Sequence, residues 1–136
     1  MQKGLNEAIL SVVEERFADY QLTVESLAKE VGVGVSYLRE IVHSQYCMSP
    51  HELIEAVRLE KAMKLIFENP KSNLYQLSSY AGYLHVRTFL DSFKRRIGMT
   101  PTEWKASLSG DGQSELELEE TLKRLWMTNE NGENHR

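Results

Sequence analysis

The chain has 136 residues, 41% of them hydrophobic, one cysteine and a formal net charge of −4. This length suits one domain, or one domain with a tail; no apolar run approaches the roughly 20 residues that cross a membrane, the start MQKGLNEAIL lacks the apolar core of a secretion signal, and a lone Cys47 forms no internal disulfide, which fits a reducing compartment. Residues 1–108 carry 13 Lys/Arg and 13 Asp/Glu, and residues 109–136 carry 3 and 7, so the acidity sits in the tail and the neutral part can still turn a local basic face to phosphate.

Leu5, Ile9, Val12, Val13 and Phe17 recur at helical spacing and predict a first helix over 5–19. Thr23 caps a second, with Leu27, Ala28 and Val31 inward and Gly32 at its end. A third runs from about Val35 to Tyr46, with Leu38, Ile41 and Val42 inward. Ser49-Pro50-His51-Glu52 is a cap, a proline at the first helical position and an acid that reaches back. It predicts a fourth helix to about Glu68, apolar at Leu53, Ile54, Val57, Met63, Leu65 and Ile66 and stopped by Asn69-Pro70. Asn73 and Gln76 make another capping box before a fifth helix, Leu74–Tyr80. Gly82 breaks it, a sixth runs from about His85 to Ile97, and Thr100-Pro101-Thr102-Glu103 starts a short seventh through about Leu108. Residues 109–114 read as a flexible linker. The tail has Leu118, Leu122, Leu125 and Trp126 on one helical face, with Glu115, Glu117, Glu119 and Glu120 around it. That face would pack back on the domain, self-associate or meet a partner. With no strand pattern, the chain is all-α.

The chain also repeats itself. Leu27 and Gly32 recur fifty residues on as Leu77 and Gly82; beyond the turn the offset is fifty-one, pairing Leu38 with Phe89, Val42 with Phe93, and Met48-Ser49-Pro50-His51-Glu52 with Met99-Thr100-Pro101-Thr102-Glu103. Each copy is a short helix, a glycine turn, a longer helix and a capped start. Two helix–turn–helix units therefore flank one long helix, and a helix–turn–helix is a platform that lays its second helix in the DNA major groove.

At residues 5–107 the sequence resembles the DNA-binding domain of the AraC/XylS transcription regulators. The resemblance is carried by Leu27-Ala28 and Tyr37-Leu38, then by Arg58-Leu59, Ala62 and Leu65-Ile66, then by Gly82-Tyr83, Phe89, Phe93-Lys94, Gly98-Met99-Thr100-Pro101 and Glu103-Trp104. It implies a double helix-turn-helix domain over 1–108, with a first unit at about 5–48, a linker helix at about 50–68 and a second unit at about 73–107, followed by a linker and an acidic, one-helix tail at 109–136. Compared with the usual pattern, Val42 replaces Phe, His43 a basic residue, Cys47 a glycine and Gly34 a capping serine. Leu84–His85 replaces a polar cap, and Asp91 stands where a basic residue is common.

The resemblance implies sequence-specific binding of double-stranded DNA by two recognition helices, about 34 Å apart along the duplex, in a transcription regulator of the bacterial cytoplasm and nucleoid. In the sixth helix His85, Val86, Arg87, Thr88, Asp91, Lys94 and Arg95 face outward or flank. Arg87 suits the O6 and N7 of guanine and Val86 a thymine methyl; Lys94, Arg95 and Arg96 suit phosphate, or else form a solvated helix end. Asp91 accepts from cytosine N4 or repels phosphate. In the third helix the outward set is Val35, Ser36, Arg39, Glu40 and His43, with Arg39 a base or phosphate contact and Glu40 a cytosine reader or a neighbour's ion partner. Tyr37, Phe89, Phe93 and Trp104 stand at core spacing, Arg58 is expected in a structural salt bridge, and Cys47 as a buried space-filler in a turn.

No histidine spacing suits a metal, and no nucleophile constellation or phosphate loop is present, so neither an enzyme nor a cofactor is expected. RNA polymerase is a further partner the family implies, as is self-association through the tail or through a sensory domain. The usual layout places such a sensory or receiver domain before this module; none lies in these residues, which leaves a stand-alone short regulator or a piece of a larger one. A protein-interaction module on a degenerate helix-turn-helix scaffold is the alternative.

Overall fold

The computed structural model describes residues 2–108 and 114–132. Among these residues there are eight helices and no strand: α1 (Gln2–Arg16), α2 (Val24–Val31), α3 (Val35–Tyr46), α4 (Pro50–Glu68), α5 (Leu74–Tyr80), α6 (Val86–Ile97), α7 (Pro101–Ser107) and α8 (Ser114–Gly132). Of residues 109–114, expected as a flexible linker, 109–113 lie outside the described residues and Ser114 begins α8. No described helix is long and apolar enough to cross a membrane. The first helix starts and ends three residues before the expected 5–19. Backbone turns formed by Asp19 N–H to Arg16 C=O and Leu22 N–H to Asp19 C=O replace its last residues.

Helix α4 is the axis. Ser49 and Glu52 close a capping box at its start, with Pro50 in the first turn. Leu53, Ile54, Ala56, Val57, Leu59, Ala62, Met63 and Ile66 are all buried. An amphipathic surface helix buries one stripe; α4 buries more because α1 and α3 cover it on one side, and α5, α7 and α8 on others. The α2–α3 and α5–α6 pairs are the two helix–turn–helix units. Capping boxes also start α2 (Thr23, Ser26), α5 (Asn73, Gln76) and α7 (Thr100, Glu103), whereas α3 and α6 begin at Gly34 and His85 with no side-chain cap. The missing side-chain cap forgoes about 1 kcal/mol at His85, and only a few tenths at Gly34, since glycine is itself a favoured N-cap.

The two units meet at Arg58. This side chain was expected in a salt bridge; instead its Nε donates to the Phe17 carbonyl at 3.0 Å and its Nη2 to the Asp19 carbonyl at 2.9 Å. The end of α1 leaves carbonyls without helical partners, and the guanidinium takes them up. It also lies over the Tyr83 ring, 5.6 Å from the centroid. The turn of the second unit is pressed against the same place: Gly82 has φ +92, and a Cβ there would fall 1.9 Å from the Phe17 carbonyl oxygen. Both the backbone angle and the contact require glycine.

Cys47 is only partly buried and ends α3 in the left-handed region, at φ 59. The expected role of space-filler gives way to a conformational one, a turn position at which a Cβ is strained. The tail packs back on the domain. Leu125 is 1% exposed. Trp104 Nε1 donates to Thr121 Oγ1 at 3.2 Å, and Trp126 Nε1 to Glu60 on α4 at 2.6 Å. The Trp126 ring also meets that of Tyr46, the last residue of α3, at 6.2 Å. So α8 touches the first unit, the axis and the second unit.

Candidate nucleic-acid interface

In α6 the spacing of Phe89, Phe93 and Ile97 puts three apolar side chains on one face, and all three are buried. Phe93 makes edge contacts with Phe89 at 5.8 Å and with Trp104 at 6.3 Å, and Tyr83 packs on Phe89 at 5.4 Å. This face fixes the opposite one. His85, Arg87, Thr88, Asp91, Lys94 and Arg95 are exposed, and Val86 is half-buried. In α3, Leu38, Ile41 and Val42 are buried, which leaves Ser36, Arg39, Glu40 and His43 exposed and Val35 half-buried. Tyr37 departs from its expected core position, being 49% exposed. The buried stripe of α3 runs through 38, 41 and 42, and Tyr37 stands beside it on the flank.

The basic end of α6 divides. Lys94 is exposed. Arg96, expected on phosphate, is a structural residue whose side chain is 5% exposed. Its Nη1 donates to Glu55 at 2.5 Å and its Nη2 to the Leu125 carbonyl of α8 at 3.3 Å. It stands three and four residues after the buried Phe93 and Ser92, so its stem runs along the inner side, where α4 and α8 supply acceptors. Arg95 also pairs with Glu55, at 2.6 Å, but is 60% exposed. Ser92 donates to Glu55 at 2.5 Å, and the Tyr83 hydroxyl lies 3.0 Å from Ser92 Oγ. Since Ser92 spends its proton on the carboxylate, Tyr83 is the donor in that second bond. Burial alone would raise the Glu55 carboxyl, but the hydrogen bonds from Arg95, Ser92 and Arg96 outweigh it and hold the group below its ordinary value. Burial pushes the Tyr83 phenol up to about 12.

Glu55 is the residue that sequence reasoning missed. The signal was present: an acid inside the apolar run Leu53-Ile54-Glu55-Ala56-Val57 requires a buried counter-charge. A groove of about 390 Å³ lies between the loop after α1, the first half of α4 and α6, with Tyr20, His51, Arg58, His85, Asp91 and Arg95 among its walls. It brings the flank of α6 against the linker.

Two helix–turn–helix units on one rigid linker, each turning a polar helix face outward, define the class of tandem helix-turn-helix DNA-binding domains. Residues 27–107 match the family profile described as a helix-turn-helix domain. The chain belongs to that family, in its AraC-type branch of DNA-binding transcription regulators. It is 28% identical over 90 residues to the Msm operon regulatory protein of Streptococcus mutans, covering 66% of this chain and 32% of that one. It is also 28% identical over 105 residues to "Histidine kinase P4" of Formosa agariphila, covering 77% of this chain and 8% of the kinase. That share is too small for the kinase's name to pass to this chain, which spans under a third of either relative's length. The C-terminal domain of AraT, a response regulator from Geobacillus stearothermophilus, superposes with a TM-score of 0.71 at 23% identity, over 79% of this chain and 88% of that domain. This is a likeness of fold.

Proposed function

We propose that this chain reads double-stranded DNA sequence-specifically through α6, with α3 as the weaker reader in the next major-groove face, and so directs transcription inside the cell. The reading is carried by one observation. The sealed face of α6 leaves Arg87, Thr88, Asp91 and Lys94 exposed together along its outer side, in the half of the helix that enters a groove and just beyond it. Arg87 contacts guanine, Val86 a thymine methyl, and Asp91 a cytosine amino group. Lys94 and Arg95 contact phosphate, and His85 and Thr88 flank the bases. In α3, Arg39 is the principal contact, with Val35, Ser36, Glu40 and His43 around it. Unless the two readers align with one straight face, the duplex bends, at a cost of about 1–6 kcal/mol.

A second reading, a helical protein-interaction module, is favoured by the way Glu55 engages two of the basic residues of α6. Titration of binding to a random-sequence duplex against salt separates the two. A DNA reader binds at low salt and weakens steeply as salt rises, and selection from a random pool then recovers a base preference. No binding of random or selected duplex at low salt would leave the interaction module standing.

A further inference from the structure

Glu55 sits where an acid is costly. It is 5% exposed, between Ile54 and Ala56 on the buried side of α4. A lone carboxylate there would protonate or leave the interior, so the partners determine its role. Three side chains within one turn of α6 contact it: Ser92 and Arg96 each at 2.5 Å, and Arg95 through Nη2 at 2.6 Å and Nη1 at 3.5 Å. Arg96 shares the burial of the carboxylate and balances its charge. Arg95 is then the unbalanced cation of the cluster, with its side chain 60% exposed. One hydrogen on each terminal nitrogen is given to Glu55, and the rest of the planar fork stays open.

An exposed arginine ordinarily gives up rotamer freedom to grip a ligand; Arg95 has given it up already. Positions 87, 91 and 95 follow at helical spacing along one side of α6. The fork therefore stands two turns beyond Arg87, where a helix entering a groove meets sugar and phosphate rather than base edges. We propose that Glu55 is a positioning residue for DNA binding: it holds the Arg95 guanidinium in one orientation at the rim of the reading face and so makes it a preorganised phosphate contact. The inference rests on the DNA-binding reading and extends it to a residue that touches no DNA.

The test uses the full chain, a random-sequence duplex and a salt series, each variant being held below its own melting transition. Arg95→Gln removes charge and fork, and should flatten the slope of log K against log salt by about 0.9. Glu55→Asp keeps the charge and withdraws the carboxylate by one methylene; Arg95→Lys keeps the charge and removes the fork. Each should weaken binding about two- to tenfold, and Glu55→Asp should have no further effect once Arg95 is Gln. A purely supporting Glu55 gives a different pattern. Glu55→Asp would then lower the melting temperature yet leave Kd and slope as in the parent, or act equally with and without Arg95, and either result overturns the proposal. Arg95→Lys serves where Glu55→Asp fails to fold, since Arg95 is exposed; if the lysine binds like the parent, orientation is immaterial and the proposal falls. A parent chain that binds no duplex even at low salt is a separate result, which removes the DNA-binding reading itself.

Discussion

At three matched core positions the second half of the repeat carries the larger side chain, although Ser92 stands where the first has Ile41. Phe89 and Phe93 stand where the first unit has Leu38 and Val42, and Trp104 stands where it has Leu53; all six are buried. The second helices of the two units end differently as well. Gly98 closes α6 at φ 97, and Cys47 closes α3 in the same left-handed region at φ 59. Outward, α6 offers Arg87, Lys94 and the held Arg95, whereas α3 offers Arg39 beside Glu40. The same backbone plan is thus filled by different side chains, and the copy with the aromatic core carries the stronger basic face.

The comparison can be broken first in the cores. Phe93→Ala should cost about 3–5 kcal/mol, against about 2 kcal/mol for Val42→Ala, two methylenes' worth of burial. Chemical denaturation of both variants checks the gap, and equal losses would mean that the units are equally packed. The turns give the next contrast. Gly82→Ala must fit a methyl against the Phe17 carbonyl and adopt a positive φ. It should cost about 2–5 kcal/mol, from overpacking and left-handed strain together. Gly32→Ala meets open space at φ +83 and should cost only the strain of about 1–2 kcal/mol.

On DNA, Arg87→Ala should lose about 1–3 kcal/mol of discrimination at one base position, while Arg39→Ala should weaken binding more evenly across sequences. Selection from a random pool with each variant reads this directly, and an unchanged base preference for Arg87→Ala would remove that assignment. The smallest effect is at the end of α3. Cys47→Gly should relieve the left-handed strain and stabilise by about 1 kcal/mol, seen as a rise in melting temperature, whereas Gly98→Ala should do the reverse.

The helices were legible because their punctuation is local. Ser49-Pro50 with Glu52, and Thr100-Pro101 with Glu103, form the capping boxes that their spacing announces. The inner faces of α3 and α6 follow from the 3.6-residue period, and the repeat made the linker role of α4 visible. What escaped depends on neighbours distant in sequence. Arg96 reads as one of three equivalent bases at a helix end until α4 and α8 close over it. Tyr37 lies one position off a stripe that only packing resolves, and Arg58 finds carbonyls because α1 ends early, at Arg16. Docking of α8 was one of three open outcomes, since an amphipathic tail carries the same pattern whichever surface it covers. The reading face itself was chosen by exclusion: the residues that the core did not claim.

The seat of Arg58 bears on how the molecule comes apart. Its guanidinium closes the end of α1 while lying on Tyr83, and Gly82 leaves no space between that end and the second turn. Opening the second turn therefore uncovers the carbonyls that follow the first helix, and fraying of that helix uncovers the second turn. Hydrogen exchange should find the backbone amides around 17–22 and 81–83 opening together, as one cooperative unit. Two halves that are copies in sequence have become, through one side chain, inseparable in their unfolding.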